Sequence, residues 1–469
     1  MRYDVAIIGG GPAGYTAAEV AAKNGLTVIL FEKDQLGGVC LNEGCIPTKT
    51  FLYSAKLYDQ TKTAAKYGIT YSGTATPEMP KIAKRKKRVV RKLVLGIKNR
   101  LQEAGVTIIS GEATIISKHK INCNNEIYRC NKMIACTGSS TVIPPIPGLS
   151  ETPYWTHREA LEITELPTSI AIIGGGVIGM EFASFFNSIG CQVTVVEMMN
   201  HIVPSMDHAI SDMLQETYNK RGIDFKLGHK ITEVAMDNEL FVIQTEDSDG
   251  TKETIRKEKL LVCVGRRPNT EGIGLENLKL DRDDQGQVIV DQRMRTSSSH
   301  LYLCGDANNK MMLAHTAVRE AEIAVRNILK HSDYISYPLI PQVLYTNPEC
   351  ACVGATEQEL IHNKTAYITK ELPMTYSGRF VAENEGETGL CRLYICPTTD
   401  NILGVHLLGN PASELIVQAS MAMHMGLKAR HWQRFVFPHP TVSEIFKECL
   451  SINASSNNED PLMDAIINN

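Results

Sequence analysis

Two stretches of the chain share one order of apolar and polar positions. Residues 4–33 read DVAIIGGGPAGYTAAEVAAKNGLTVILFEK and residues 169–198 read SIAIIGGGVIGMEFASFFNSIGCQVTVVEM. Each predicts an apolar strand, a glycine turn, a helix and a second apolar strand closing on glutamate. The glycines are Gly9, Gly11 and Gly14 in the first copy and Gly174, Gly176 and Gly179 in the second. The acids, Glu32 and Glu197, each stand 23 positions after the first glycine. In such a unit the first glycine makes the tight turn, the second lets a pyrophosphate approach the backbone, and the third lets helix pack on strand. The helix N-terminus offers unpaired N–H groups to the phosphates, and the carboxylate accepts from a ribose diol. One such turn is only a glycine-rich corner; two complete copies at one spacing predict two dinucleotides.

Other segments fit the same α/β plan. IACTGSS (134–140) and LVCVGRRPNT (261–270) read as apolar strands ending in glycine turns, at Gly138 and Gly265, each closing one unit. LYLCGDANN (301–309) is a strand ending in Gly305-Asp306, where the aspartate either binds a sugar-like hydroxyl chain or serves as a turn residue. Glu197 is followed by Met198 and Met199. A glutamate repels a 2′-phosphate and no arginine stands beside it, which favours NAD over NADP. Segment 79–101, MPKIAKRKKRVVRKLVLGIKNRL, predicts an amphipathic helix with Ile82, Val89, Val90, Leu93, Ile97 and Leu101 on its apolar side. Its lysines and arginines read as a solvated face or as a docking site for an acidic partner. The tail 451–469 reads as a surface extension, with a crossing to a partner subunit as the alternative.

Composition narrows the class. A chain of 469 residues exceeds one hydrophobic core and predicts two to four domains. A net charge of −4 implies no general affinity for nucleic acid or membrane, and no run of about 18 apolar residues predicts a transmembrane helix. The strand pattern starts at residue 3, leaving no room for a signal or transit peptide, so the expected compartment is cytoplasmic. The thirteen cysteines are scattered along a long chain, unlike a secreted disulfide scaffold, and most are expected as reduced, buried thiols. No metal site is expected.

Two cysteine pairs share one spacing, Cys40/Cys45 in GGVCLNEGCIPTK and Cys391/Cys396 in CRLYIC. Bridging needs Cα atoms within about 7 Å. In an extended strand, positions i and i+5 lie about 16 Å apart on opposite faces, so CRLYIC, with its strand character, is expected to hold two structural thiols. Around the first pair, Gly37, Gly38 and Gly44 permit compact turns, and a helix is expected to begin near Pro47. A compact path allows bridging, and a helix N-terminus lowers thiol pKa; two ordinary loop thiols are the alternative. In FPHPTVSEIFKE (437–448), His439 sits between prolines. Glu444 either closes a T-x-x-E capping box with Thr441 or orients His439 as a general base.

Taken together these motifs resemble the pyridine nucleotide-disulfide oxidoreductases, from Tyr3 to about Lys447. GGVCLNEGCIPTK resembles the redox-disulfide signature of that family, HPTVSE its base motif, and YTNPECACVGATEQEL (345–360) with ILGVHLLG (402–409) its dimer-interface domain. The resemblance implies two Rossmann-like dinucleotide-binding domains, for FAD and NAD, plus an α+β C-terminal dimerisation domain. The implied boundaries are 1–148 (FAD, first part), 149–272 (NAD), 273–340 (FAD, second part) and 341–469 (interface). It implies oxidation of a dihydrolipoyl dithiol through a Cys40–Cys45 disulfide and FAD to NAD⁺, with Cys40 as interchange thiol and Cys45 as the thiol facing the flavin. His439 with Glu444 is the implied base, reaching the disulfide of the other subunit of a homodimer. Lys49 and Glu181 are the implied ion pair near the flavin, and Val177 its shield. Gly9, Gly11, Gly14, Glu32, Lys49, Gly138, Asp306 and Ala314 are implied FAD contacts; Gly174, Gly176, Gly179, Glu197 and Gly265 are implied NAD contacts. The implied partner is a lipoylated carrier protein or acyltransferase of a 2-oxo acid dehydrogenase or glycine cleavage system. Phe437-Pro438 replaces the usual residues before the base, and Cys350 and Cys352 stand where apolar residues are usual. Another disulfide reductase of the same fold and a non-catalytic dinucleotide-binding subunit are the competing expectations.

Overall fold

The computed structural model describes residues 2–452. The tail expected as a surface extension therefore lies almost wholly outside the described residues.

In the first repeat, β1 (Arg2–Ile8) leads through α1 (Pro12–Lys23) to β2 (Val28–Glu32), parallel to β1 with Val5 opposite Val28. Three helices follow: α2 (Gly38–Glu43), α3 (Cys45–Thr63) and α4 (Met79–Glu103). The chain re-enters the sheet as β3 (Thr107–Ser110), turns through β4 (Ala113–Ser117) and β5 (Lys120–Cys123), and returns along β1 as β6 (Glu126–Ala135). The strand order is β3-β2-β1-β6. Val5–Ile8 and Met133–Ala135 are buried, as parallel strands covered on both faces require.

The second repeat builds a separate sheet. After β7 (Ser139–Thr141) and α5 (His157–Leu161), β8 (Ser169–Ile173), α6 (Val177–Ser188) and β9 (Gln192–Glu197) repeat the motif, and α7 (His208–Lys220) leads to β10 (Asp224–Leu227). An antiparallel meander of β11 (Lys230–Asp237), β12 (Leu240–Glu246) and β13 (Lys252–Lys257) precedes β14 (Lys259–Val262), which completes the order β10-β9-β8-β14. Next, β15 (Arg266–Pro268) pairs antiparallel with β7, and β16 (Leu301–Leu303) joins the first sheet beside the end of β6. The first sheet thus resumes after the second is finished. Helix α8 (Ala314–Ile328) then packs on α1.

The last part is a five-stranded antiparallel sheet: β17 (Gln342–Leu344), β18 (Cys350–Gly354), β19 (Ile368–Pro373), β20 (Leu390–Ile395) and β21 (Ile402–Leu408), in the order β17-β18-β21-β20-β19. Helices Ala412–His424 and Glu444–Ser451 pack on it. Among the described residues no helix is long and apolar enough to cross a membrane.

The basic segment is the helix α4, but its inner face differs from the expected one. Met79, Ala83, Lys86, Ile97 and Leu101 are buried, whereas Leu93 is 40% exposed. The face is set by the helices α4 crosses, α1, α2 and α3, rather than by its apolar residues alone. Lys86 is tolerated inside because its ammonium donates to the Leu161 carbonyl (2.7 Å) and pairs with Glu162.

Candidate active site

The two glycine turns have one geometry. Gly9 and Gly174 take φ of +100° and +103°, where a side chain is strained. A Cβ on Gly14 would lie 1.8 Å from the Gly9 carbonyl oxygen, and one on Gly179 2.0 Å from that of Gly174, so helix and strand touch only because both are glycine. The middle glycines, Gly11 and Gly176, are extended and face open space; only the Gly38 Cα, at 3.8 Å, approaches a Cβ built on Gly11. Neither α1 nor α6 has a side-chain cap, so the N–H groups of their first turns, in α1 from Ala13 onward because Pro12 has none, are free for phosphate oxygens. Glu32 accepts from the Gly10 N–H (2.6 Å) and the Asp34 N–H (2.8 Å); Glu197 accepts from the Gly175 N–H (2.7 Å) and the Met199 N–H (2.9 Å). Each carboxylate ties its turn to the strand end and keeps lone pairs for a diol. Open space before the middle glycine, free helix N–H groups and a fixed carboxylate fit a dinucleotide in both units.

A cavity of about 1480 Å³ opens in front of the first turn. Its wall includes Gly9, Gly11, Glu32, Gly138, Asp306 and Ala314. Gly14 lies behind it, as the contact between α1 and β1. Ala314 opens α8, so another uncapped helix N-terminus faces the cavity. Gly174, Gly176, Gly179, Glu197 and Gly265 belong to the second unit and do not line this cavity; Val177 and Glu181 of α6 do.

Cys40, in α2, and Cys45, the first residue of α3, line the cavity on either side of Gly44. Gly37 and Gly38 take positive φ, and Gly38 packs against the Gly11 turn. The pair implied as a disulfide is held here as two free thiols. They are unequal. The Cys40 S–H donates to Cys45, which lowers the Cys45 thiol against the opposing effect of burial, and the Lys49 ammonium lowers it further. The same bond, together with burial, pushes Cys40 up. Within the reduced pair these influences favour negative charge at Cys45 over Cys40.

Lys49 lies one turn along α3. Its ammonium contacts both Glu181 oxygens (2.7 and 2.8 Å) and sits 4.5 Å from the centre of the Tyr345 ring. Burial opposes its charge, but the Glu181 carboxylate outweighs this and raises its pKa. The Tyr345 N–H donates to Glu181 (3.1 Å), fixing the pair from the last sheet.

Several cavity residues escaped sequence reasoning. Arg266 donates from Nε to the Ser139 hydroxyl (2.7 Å) and from Nη2 to its carbonyl (2.6 Å), while that hydroxyl donates to Asp306. The first arginine of LVCVGRRPNT thus reaches the acid of LYLCGDANN, a link no local pattern announces. Glu43, between the two cysteines, pairs with Arg158 (2.6 Å). His157 is buried beside them; burial first, then the Arg266 charge, pushes its pKa down to about 4.

His439 is not in this cavity. Its ring is 81% exposed, with Nδ1 3.0 Å from Glu444 Oε1. Glu444 Oε2 accepts from the Thr441 N–H (2.9 Å), and that bond, followed by His439, lowers the Glu444 pKa. One carboxylate therefore contacts both the Thr441 backbone and the His439 ring. Only half of a capping box forms, because the Thr441 hydroxyl donates to the Pro438 carbonyl (2.8 Å).

The second cysteine pair takes other partners. Cys391 is buried in β20 with its carbonyl accepting from the Cys449 thiol (3.6 Å), and Cys396, just past the strand, bonds Thr398 (3.4 Å). Both are free thiols, as are the buried Cys350 and Cys352.

Comparison with known proteins defines the class. The pyridine nucleotide-disulphide oxidoreductase family matches residues 3–321, and the dimerisation domain of that family matches residues 340–450. The chain belongs to this family of oxidoreductases, whose cofactors are FAD and NAD. Among curated relatives, the dihydrolipoyl dehydrogenase of Mycoplasma genitalium is 37% identical over 451 residues, covering 95% of this chain and 97% of that protein. The dihydrolipoyl dehydrogenase of Buchnera aphidicola is 36% identical, covering 95% and 94%. Among solved structures, the Cu(II) complex of the HOCl-induced flavoprotein disulfide reductase RclA from Escherichia coli has a TM-score of 0.86 at 26% identity, covering 96% of this chain and 99% of that one.

Proposed function

We propose that the protein is a dihydrolipoyl dehydrogenase, which reoxidises protein-bound dihydrolipoyl groups to lipoyl and passes the electrons through Cys40, Cys45 and FAD to NAD⁺. The observation that carries this is the Cys40/Cys45 pair lining the dinucleotide cavity beside the Lys49–Glu181 ion pair, whose ammonium favours negative charge at Cys45. The names of the relatives support the choice of substrate.

Turnover starts with the pair as a disulfide. A dihydrolipoyl thiolate attacks the Cys40 sulfur, the Cys40–Cys45 bond breaks, and Cys45 leaves as the stabilised thiolate. The second dihydrolipoyl sulfur attacks the mixed disulfide, closes the lipoyl ring and releases Cys40. His439 accepts the proton that the attacking thiol gives up, and Glu444 steadies the imidazolium. In this reading His439 comes from the second copy of a homodimer, consistent with its exposure outside the cavity of its own chain. FAD supplies the relay that carries the two electrons, as hydride, to NAD⁺. Gly9, Gly11, Glu32, Lys49, Gly138, Asp306 and Ala314 would hold FAD, with Gly14 behind them letting α1 pack on β1; Gly174, Gly176, Glu197 and Gly265 would hold NAD, with Gly179 in the matching packing role. Lys49, kept charged by Glu181, favours negative charge beside Cys45, and Val177 shields the cavity from the nicotinamide side. The balance is dihydrolipoyl plus NAD⁺ to lipoyl, NADH and one proton.

The domains in this reading are 1–148, 149–272, 273–340 and 341–469, and the working partner is a lipoylated carrier protein or acyltransferase in the cytoplasm. The test is a steady-state assay of the purified holoenzyme. NAD⁺ reduction by dihydrolipoamide is expected, with no comparable oxidation of NADPH by glutathione disulfide. The opposite preference would overturn the assignment in favour of another disulfide reductase.

A further inference from the structure

The helix α4 carries ten lysines and arginines and one acid, Glu103. Four of the ten reach carboxylates: Lys81 pairs with Glu78, Lys86 and Lys87 with Glu162, and Arg100 with Glu19. Lys84, Arg88, Arg91, Lys92 and Lys98 are exposed, and among the described residues none lies within 4.0 Å of a carboxylate. Lys84, Arg88 and Lys92 follow one another at steps of four, so they share one face of the helix. Like charges at that step destabilise a helix by roughly 0.2–0.5 kcal/mol per pair. The row is thus repulsive within its own chain and lacks an internal counter-charge.

Its position adds the second observation. α4 packs against α2, the helix that carries Cys40. The neighbouring row of α4, with Lys87, Val90, Arg91, Val94 and Leu95, lines the cavity of the cysteine pair. Leu93 and Leu95 remain 40% and 48% exposed beside it. A macromolecule that delivers a thiol arm to Cys40 must stop where its own bulk meets the cavity rim, and α4 forms part of that rim.

We propose that the face of α4 bearing Lys84, Arg88 and Lys92 is the landing surface for an acidic face of the carrier domain that brings the dihydrolipoyl arm to Cys40. The proposal rests on the dihydrolipoyl dehydrogenase reading and deepens it by assigning how the protein substrate is recognised. Opposite charge steers the carrier to the rim and raises the rate of encounter, the exposed leucines supply apolar contact, and the arm enters beyond Arg91. A free dithiol has no carrier body to land and is indifferent to the row.

The experiment compares the wild-type holoenzyme with Lys84→Glu/Arg88→Glu/Lys92→Glu, none of which lines the cavity, and with the corresponding triple glutamine variant. Each is assayed with free dihydrolipoamide and with an acidic dihydrolipoylated domain of a 2-oxo acid dehydrogenase acyltransferase. With the carrier domain, kcat/KM is expected to fall about tenfold or more in the glutamate variant and less in the glutamine variant. With free dihydrolipoamide it stays within about twofold. Raising the salt to about 0.5 M should erase the wild-type advantage on the carrier domain. An unchanged carrier rate in both variants overturns the proposal. So does an equal fall with both substrates, or conversion of a dimer to monomer on size exclusion, which would assign the face to the second copy. If wild type fails to oxidise free dihydrolipoamide with NAD⁺, the functional reading itself fails; if it succeeds and only the carrier is insensitive, the landing surface alone is wrong.

Discussion

The two dinucleotide units share turn, helix and clamping glutamate, yet they face different surroundings. In front of the first, Gly38 of the cysteine loop packs against the Gly11 turn, and α4 and the Gly305-Asp306 strand end enclose a cavity. In front of the second, nothing lies within 4 Å of a Cβ on Gly176, and Met198 and Met199 beyond its glutamate are 69% and 57% exposed. The enclosed front suits a resident cofactor, and the open one suits a cofactor that exchanges. What differs is not the fingerprint but what the intervening chain places over it.

That contrast can be broken by separating half-reactions. The largest effect is expected from His439→Gln. It should lower dihydrolipoamide turnover by about 10²- to 10⁴-fold while leaving stopped-flow reduction of the flavin by NADH unchanged, because the proposed mechanism uses His439 only on the dithiol side. Equal loss in both half-reactions would mean a general structural defect.

The third glycines come next. A Cβ at Gly14 or Gly179 meets a carbonyl oxygen at 1.8 or 2.0 Å, so each alanine should cost at least the upper end of about 1–3 kcal/mol. Gly14→Ala is expected to purify without flavin. Gly179→Ala should keep its yellow colour and lose reduction by NADH. If both lost flavin alike, the two units would not be separable as described.

A pH effect sharpens the first cavity. The folded His157 pKa, about 4, lies below the ordinary 6.5, so its neutral form is favoured in the fold. Its contribution to stability is complete above pH 6.5 and is lost as pH falls from 6.5 toward 4, by up to about 3 kcal/mol. Thermal unfolding of His157→Gln should therefore fall less steeply across that window than wild type. Parallel curves would show that the imidazole is not buried neutral.

The smallest expected effect is at the open unit. Glu197→Gln keeps one accepting oxygen, for either the Gly175 or the Met199 N–H but not both, and removes the charge that repels a 2′-phosphate. The preference for NADH over NADPH should shrink by about tenfold, or about 1.4 kcal/mol. No change would show that discrimination lies elsewhere.

Most of the frame was legible because it is local. The glycine spacing, the closing strands and the compact path around Cys40 and Cys45 follow from neighbours in sequence. The contacts between distant segments were not. Arg266 holding Ser139, Ser139 in turn bonding Asp306, Tyr345 bonding Glu181, and Arg158 pairing Glu43 each join segments that no periodicity connects. The inner face of α4 was misjudged for a related reason: a paired, buried Lys86 counts as polar in any pattern but packs as core. The two cysteine pairs make the point in reverse, since identical spacing led to a shared cavity in one case and to unrelated partners in the other.

The central claim is that Cys45 is a thiolate coupled to the bound flavin while Cys40 is its thiol partner. Anaerobic titration with one equivalent of NADH, followed by visible absorbance, tests it most directly. The wild type should turn from yellow toward red as a long-wavelength thiolate–flavin band grows, and Cys45→Ser should keep its flavin without that band. Bleaching of the wild type with no such band, or a band that survives in Cys45→Ser, would contradict it.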